Sequence, residues 1–99
     1  MSNIDKIIAI AKETISIEQE AIANLGNLID SEFAEAVNHI YTSNGRVIIS
    51  GIGKSANIAT KIVATLNSTG TPAIFMHAAD AIHGDLGTVQ KSDTVICIS

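Results

Sequence analysis

Two short stretches hold the residue types that could do chemistry. The first is the turn Gly51-Ile52-Gly53-Lys54-Ser55. Glycines let a backbone approach an anion closely, a helix start offers free N–H groups with partial positive charge, and Lys54 and Ser55 add side-chain donors. The pattern points to a phosphate-bearing ligand held by Gly51, Gly53, Lys54 and Ser55; the plain alternative is a tight strand-to-helix turn. The second is His77-Ala78-Ala79-Asp80-Ala81-Ile82-His83-Gly84-Asp85-Leu86-Gly87. An imidazole titrates near neutrality and can carry a proton between adjacent carbons, as an aldose–ketose isomerisation through an enediol requires. His83 is the first candidate for that task, against the alternative of a loop histidine bonded to backbone or water. A metal shared by His77 and His83 is a minor alternative, since their spacing matches no recognised ligand pattern and no Cys or Glu stands nearby to complete a set. Asp80 and Asp85 read as caps or turn formers.

Two familiar nucleotide loops fit the glycine turn poorly. The P-loop pattern requires a glycine where this chain has Ile48, within an apolar run. The dinucleotide fingerprint aligns as Gly51, Gly53 and Ala56, yet the ribose-binding acid due about 20 residues on is absent from Ala73-Ile74-Phe75-Met76-His77.

These residues need elements to hold them. Ile4, Ile8, Ala11, Ile15, Ile22 and Leu25 recur at steps of three, four or seven, which predicts a helix from about Asn3 to Leu25. Its near-heptad spacing suits packing on its own domain or on a second subunit. Asp30 or Ser31 caps a second helix carrying Phe33, Val37, Ile40 and Tyr41, closed by the turn Ser43-Asn44-Gly45. Arg46-Val47-Ile48-Ile49-Ser50 is then β-branched without alternation, as in a strand buried on both faces and central to its sheet. A helical stripe of Ile58, Ile62, Val63 and Leu66 stops at Gly70, and Ala73 to Met76 and Thr94 to Ile98 supply two more strands. Strand, helix and strand in that order predict parallel crossovers, hence a doubly wound α/β fold of the flavodoxin-like kind: a helical lead-in over 1–43 and a parallel α/β portion over 46–99. A strand as apolar as the third wants neighbours on both sides, so further sequence beyond Ser99 is expected.

Composition narrows the function. The chain has 99 residues, 46% hydrophobic and 16% charged, enough for one core and no more. A net charge of -4 with scattered Lys and Arg argues against nucleic acid. No segment resembles a signal peptide or a membrane span, and the expected location is the cytoplasm. The single cysteine, Cys97, lies in an apolar run and is expected to be a buried, inert thiol.

Taken in order, Gly-Ile-Gly-Lys-Ser at 51–55, Ser-Thr-Gly-Thr-Pro at 68–72 and His-Gly-Asp-Leu-Gly at 83–87 resemble the arabinose 5-phosphate isomerases of the sugar isomerase (SIS) superfamily, over the first half of that family's domain. The resemblance implies interconversion of ribulose 5-phosphate and arabinose 5-phosphate, the entry step to Kdo in bacterial lipopolysaccharide or capsule, with no cofactor required. It implies Lys54 as a catalytic cation, His83 beside the reacting carbons, Gly70 and Thr71 as substrate contacts, and His77 as a zinc ligand in some members. It also implies a homo-oligomer, a dimer or tetramer. Members of the family continue into a second phosphate loop and further acid–base groups, so these 99 residues alone are expected to be inactive or nearly so.

Overall fold

The structure is a computed structural model and describes residues 2–99. The chain divides into two compact units, one ending at Val37 and one running from Asn38 to Ser99.

In the first unit, helix α1 spans Asn3–Leu25, opened by the Ser2 hydroxyl accepting from the Asp5 N–H at 3.1 Å. A single 3-10 turn, Gly26–Leu28, follows. Helix α2, Ser31–Thr42, begins in this unit and ends in the second. It is capped by Asp30, whose Oδ1 accepts from the Glu32 and Phe33 N–H groups at 3.1 and 3.2 Å. None of the residues of α1 is buried.

The second unit is built on a parallel sheet in the order β2-β1-β3. Strand β1 is Val47–Gly51, β2 is Ala73–His77 and β3 is Thr94–Cys97. β1 is buried along its whole length, with Ile48 and Ile49 at 0% exposure. Its lack of polar alternation follows from that position, because a middle strand has no solvent face. Helix α3, Lys54–Ser68, links β1 to β2. Its Ala59 packs into a core of Val47, Ile49 and Ala73, ringed by Ile40, Val63, Leu66, Phe75, Ile96 and Ile98. The small side chain at 59 lets the helix lie close to the sheet. The β2-to-β3 connection contains a short helix α4, Ala78–Ile82, and a 3-10 turn, Asp85–Thr88.

Cys97 departs from its expected burial: it is exposed. β3 pairs on one side only, and its residues alternate, Thr94 and Ile96 half-buried, Val95 (42%) and Cys97 exposed. An apolar run in a strand at the margin of the described sheet does not guarantee cover on both faces.

At the amino-terminal edge of the sheet, side chains lock the strands in register. The Arg46 guanidinium donates to Asp93 from Nε (3.2 Å) and Nη2 (2.7 Å), and Nη2 also donates to the Thr88 carbonyl at 2.9 Å. The backbone N–H groups of Arg46 and Gln90 complete the carboxylate's shell at 3.0 and 2.8 Å. The Asp93 side chain is 1% exposed. The hydrogen bonds from Arg46 above all, then the Gln90 N–H, hold its carboxyl well below the ordinary carboxylate range. One residue earlier the two segments touch backbone to backbone: a Cβ on Gly45 would overlap the Ser92 carbonyl and stand 2.9 Å from the Asp93 nitrogen. On the far strand, Asn67 reaches from α3 to Ala73, accepting from its N–H at 2.8 Å and donating to its carbonyl at 3.0 Å.

Two outcomes are expected. Gly45→Ala forces the backbones apart and lowers the urea midpoint by the equivalent of about 1–3 kcal/mol, the usual cost of overpacking. Asp93 contributes stability above the carboxylate value of an unfolded chain, about 3.9, and loses it as pH falls below that. Thermal unfolding scanned downward from about pH 5 should therefore show a steep acid limb, shallower in Asp93→Asn.

Candidate functional site at the carboxyl edge of the sheet

Parallel pairing in register brings the carboxyl ends of β1 and β2 together: Gly51 stands opposite His77. The glycine turn and the first histidine thus share one edge, where open α/β sheets place their ligands.

The turn has a defined shape. Gly51 is buried, and a Cβ there would lie 3.0 Å from the Ser55 carbonyl, so the first turn of α3 folds back tightly against the strand end. Gly53 is the N-cap of α3 with φ 60 and ψ −130, a conformation that L side chains rarely adopt, and no side chain caps the helix. The leading N–H groups of a helix have no partner inside it, so this start directs unpaired donors outward. Lys54 is exposed and Ser55 half-buried on that first turn. An anionic ester fits such a start by hydrogen bonding and by charge.

His77 is half-buried and held on two sides. Its Nδ1 accepts from the Ala79 N–H at 3.1 Å, which makes it the N-cap of α4. Its ring meets that of Phe75 edge-on, 6.2 Å between centroids at 83°. His83 is the residue after α4, and its N–H donates to the Asp80 carbonyl at 3.1 Å. Helical residues rise about 1.5 Å each, so across this short helix the His83 backbone lies within about 10 Å of the β2 end. His83 is exposed. The described residues enclose no cavity at this edge, and the site is an open surface.

Gly51, Gly53, Lys54, Ser55 and His77 therefore gather at one edge, with His83 tethered to it through α4. Gly70 and Thr71 do not join them. Gly70 turns the chain out of α3 with φ 95, the Thr71 N–H donates to the Leu66 carbonyl at 2.9 Å, and the Pro72 carbonyl accepts from the Val47 N–H at the opposite edge. A five-residue strand, at about 3.3 Å per residue, separates the two edges, so within one chain these two residues cannot contact a ligand seated at Gly53. The motif containing Gly70 and Thr71 ends a helix here, a role its glycine signals equally well.

Zinc at His77 finds no complete ligand set among the described residues: no three His, Cys, Asp or Glu groups converge. Sequence reasoning also missed Arg46 and Asp93. A lone Arg beginning a strand and an Asp ending a polar loop announce nothing until the strand order makes them neighbours.

The chain belongs to the SIS domain family, whose model matches residues 39–99. It is 43% identical over 95 residues to arabinose 5-phosphate isomerase GutQ of Salmonella typhi, a match covering 96% of this chain and 30% of that protein. Over 88 residues it is 44% identical to arabinose 5-phosphate isomerase KdsD of Yersinia pestis, covering 89% of this chain and 27% of that one. An Escherichia coli CFT073 protein solved in complex with arabinose 5-phosphate superposes with a TM-score of 0.87 at 42% identity, covering all of this chain and 52% of its own. The chain spans about a third of the length of these curated relatives.

The need for glycine at position 53 is testable. Space is open around it, so Gly53→Ala incurs only the backbone cost, about 1–3 kcal/mol in urea unfolding. Gly87→Ala, with equally open space and no positive φ, should stay within about 0.5 kcal/mol of the parent.

Proposed function

We propose that the carboxyl edge of this sheet binds a pentose phosphate and takes part in interconverting arabinose 5-phosphate and ribulose 5-phosphate in the cytoplasm, on the path to Kdo for lipopolysaccharide or capsule. The observation that carries the reading is the uncapped start of α3 after Gly53, with Lys54 on its first turn, at the same edge as His77 and the α4 arm bearing His83. The curated relatives' names supply the substrate.

In the aldose-to-ketose direction a base takes the C2 proton, and the electron pair forms the C1–C2 double bond of an enediolate. A proton is returned to C1 while the O2 hydroxyl proton passes to O1, leaving a hydroxyl at C1 and the carbonyl at C2. His83 is suited to carry a proton in that exchange, and the Lys54 ammonium to offset negative charge on the enediolate oxygens. Gly51, Gly53 and Ser55 orient the ester. No oxidant or reductant is consumed, so the reaction needs no redox cofactor. The exposed apolar positions of α1, Ile4, Ile8, Ile15 and Ile22, support assembly into a homo-oligomer. The acidic charge balance supports small-molecule partners over nucleic acid.

The test is exchange of the C2 proton of arabinose 5-phosphate with deuterated solvent, followed by NMR on the intact gene product. Lys54→Ala and His83→Ala should each lower exchange by about 100-fold or more, the scale of one general acid–base or charge-stabilising group, with substrate affinity retained. Pentose phosphate binding without any exchange would convert the reading to a sugar-phosphate sensing module. The 99 residues alone should show little turnover, because an edge that encloses no cavity leaves the enediolate open to water. Near-normal turnover by them would contradict that.

A further inference from the structure

We propose that His77 is a positioning residue, which sets the place of His83 by capping α4, and that it is not a metal ligand in this protein. The proposal rests on the isomerase reading for what His83 does, and on hydrogen bonding alone for what His77 does.

A neutral imidazole has one ring nitrogen that donates and one that accepts. At His77 the acceptor is assigned by its partner: Nδ1 faces the Ala79 N–H at 3.1 Å, and a backbone amide can only donate. Nε2 must then carry the ring proton, and its lone pair is not available to a cation. Ligation through Nε2 would require the opposite arrangement, with Nδ1 donating to a carbonyl or carboxylate. Capping α4 and holding zinc are thus competing uses of the same ring. The described residues favour the first, since no second and third ligand converge on His77.

The cap matters because α4 is short and shallowly packed, with Ala78, Ala79 and Ala81 only half-buried. The helix has five residues, none of them buried, and Ile82 is exposed. Its last residue is followed directly by His83. The arm is anchored at its start by the His77 cap and the Phe75 contact, and at its far end by the Thr88 carbonyl accepting from Arg46. Replacing His77 by Ala removes both the cap and the ring contact at the start of the arm.

The experiment compares His77→Ala with His77→Asn and His77→Ser in the intact protein, because Asn and Ser accept from an N2 or N3 amide as good caps do and Ala cannot. Deuterium exchange of the 78–84 peptide should quicken about five-fold in His77→Ala, the equilibrium factor that one lost cap is worth, and return toward the parent rate in the other two. Isomerase kcat should fall in His77→Ala with KM little changed, and largely recover in His77→Asn. Metal-stripped protein dialysed against zinc chloride and desalted should retain no zinc that depends on His77. Three results would overturn the proposal: His77→Asn as impaired as His77→Ala, exchange unaltered in His77→Ala, or stoichiometric zinc in the parent that is lost in His77→Asn. Should the intact protein lack turnover altogether, the isomerase reading falls, while the exchange and zinc measurements still decide how His77 is used.

Discussion

The ion pair between Arg46 and Asp93 is the constraint from which the rest of the sheet follows. It joins the residue before β1 to the residue before β3, so the two parallel strands leave one anchoring point together and pair from their first residues, Val47 beside Thr94. Surface ion pairs contribute little as a rule, since solvent screens them and side-chain entropy opposes them. This carboxylate differs in being nearly inaccessible and in accepting from two backbone N–H groups besides the guanidinium. A buried charge stays tolerable only when its lone pairs are matched in this way. The third guanidinium contact, to Thr88, extends the same anchor to the arm that carries His83.

The two edges of the sheet consequently have different tasks. The amino-terminal edge holds the tight contacts: Gly45 against Ser92, Arg46 with Asp93, Asn67 with Ala73, and Gly70 ending α3. The carboxyl-terminal edge holds the loosely packed groups, an uncapped helix start, an exposed lysine and a short helix without buried residues. Binding surfaces need donors left unmatched by the protein itself, and such groups are tolerated only where strand register is secured elsewhere.

Much of this was legible in the residue order, and the parts that were not share a cause. The unbroken β-branched run Val47–Ile49 identifies a middle strand because each face must meet apolar partners, and the strand order places it there. Helix α1 follows from its apolar period and Asp30 from capping chemistry; both depend on neighbours within a few positions. The glycine turn is readable for the same reason. The exposure of Cys97 and the sheet edge on which Gly70 and Thr71 lie were not legible, because both depend on strands far away in sequence. The same holds for Arg46 with Asp93, which are brought together only by the order β2-β1-β3. The role of His77 was hidden for a different reason. Histidine is an uncommon cap, and its use is decided by which ring nitrogen faces the backbone.

Asn67 imitates a peptide unit. Its carboxamide presents to Ala73 the acceptor and donor that a neighbouring strand would offer, so the first outward rung of β2 is already taken. Any polypeptide seeking to lengthen the sheet along that margin must displace a side chain of its own host helix before it can start to zip. The β3 margin carries no such plug among the described residues, and growth of the sheet is thereby given a direction.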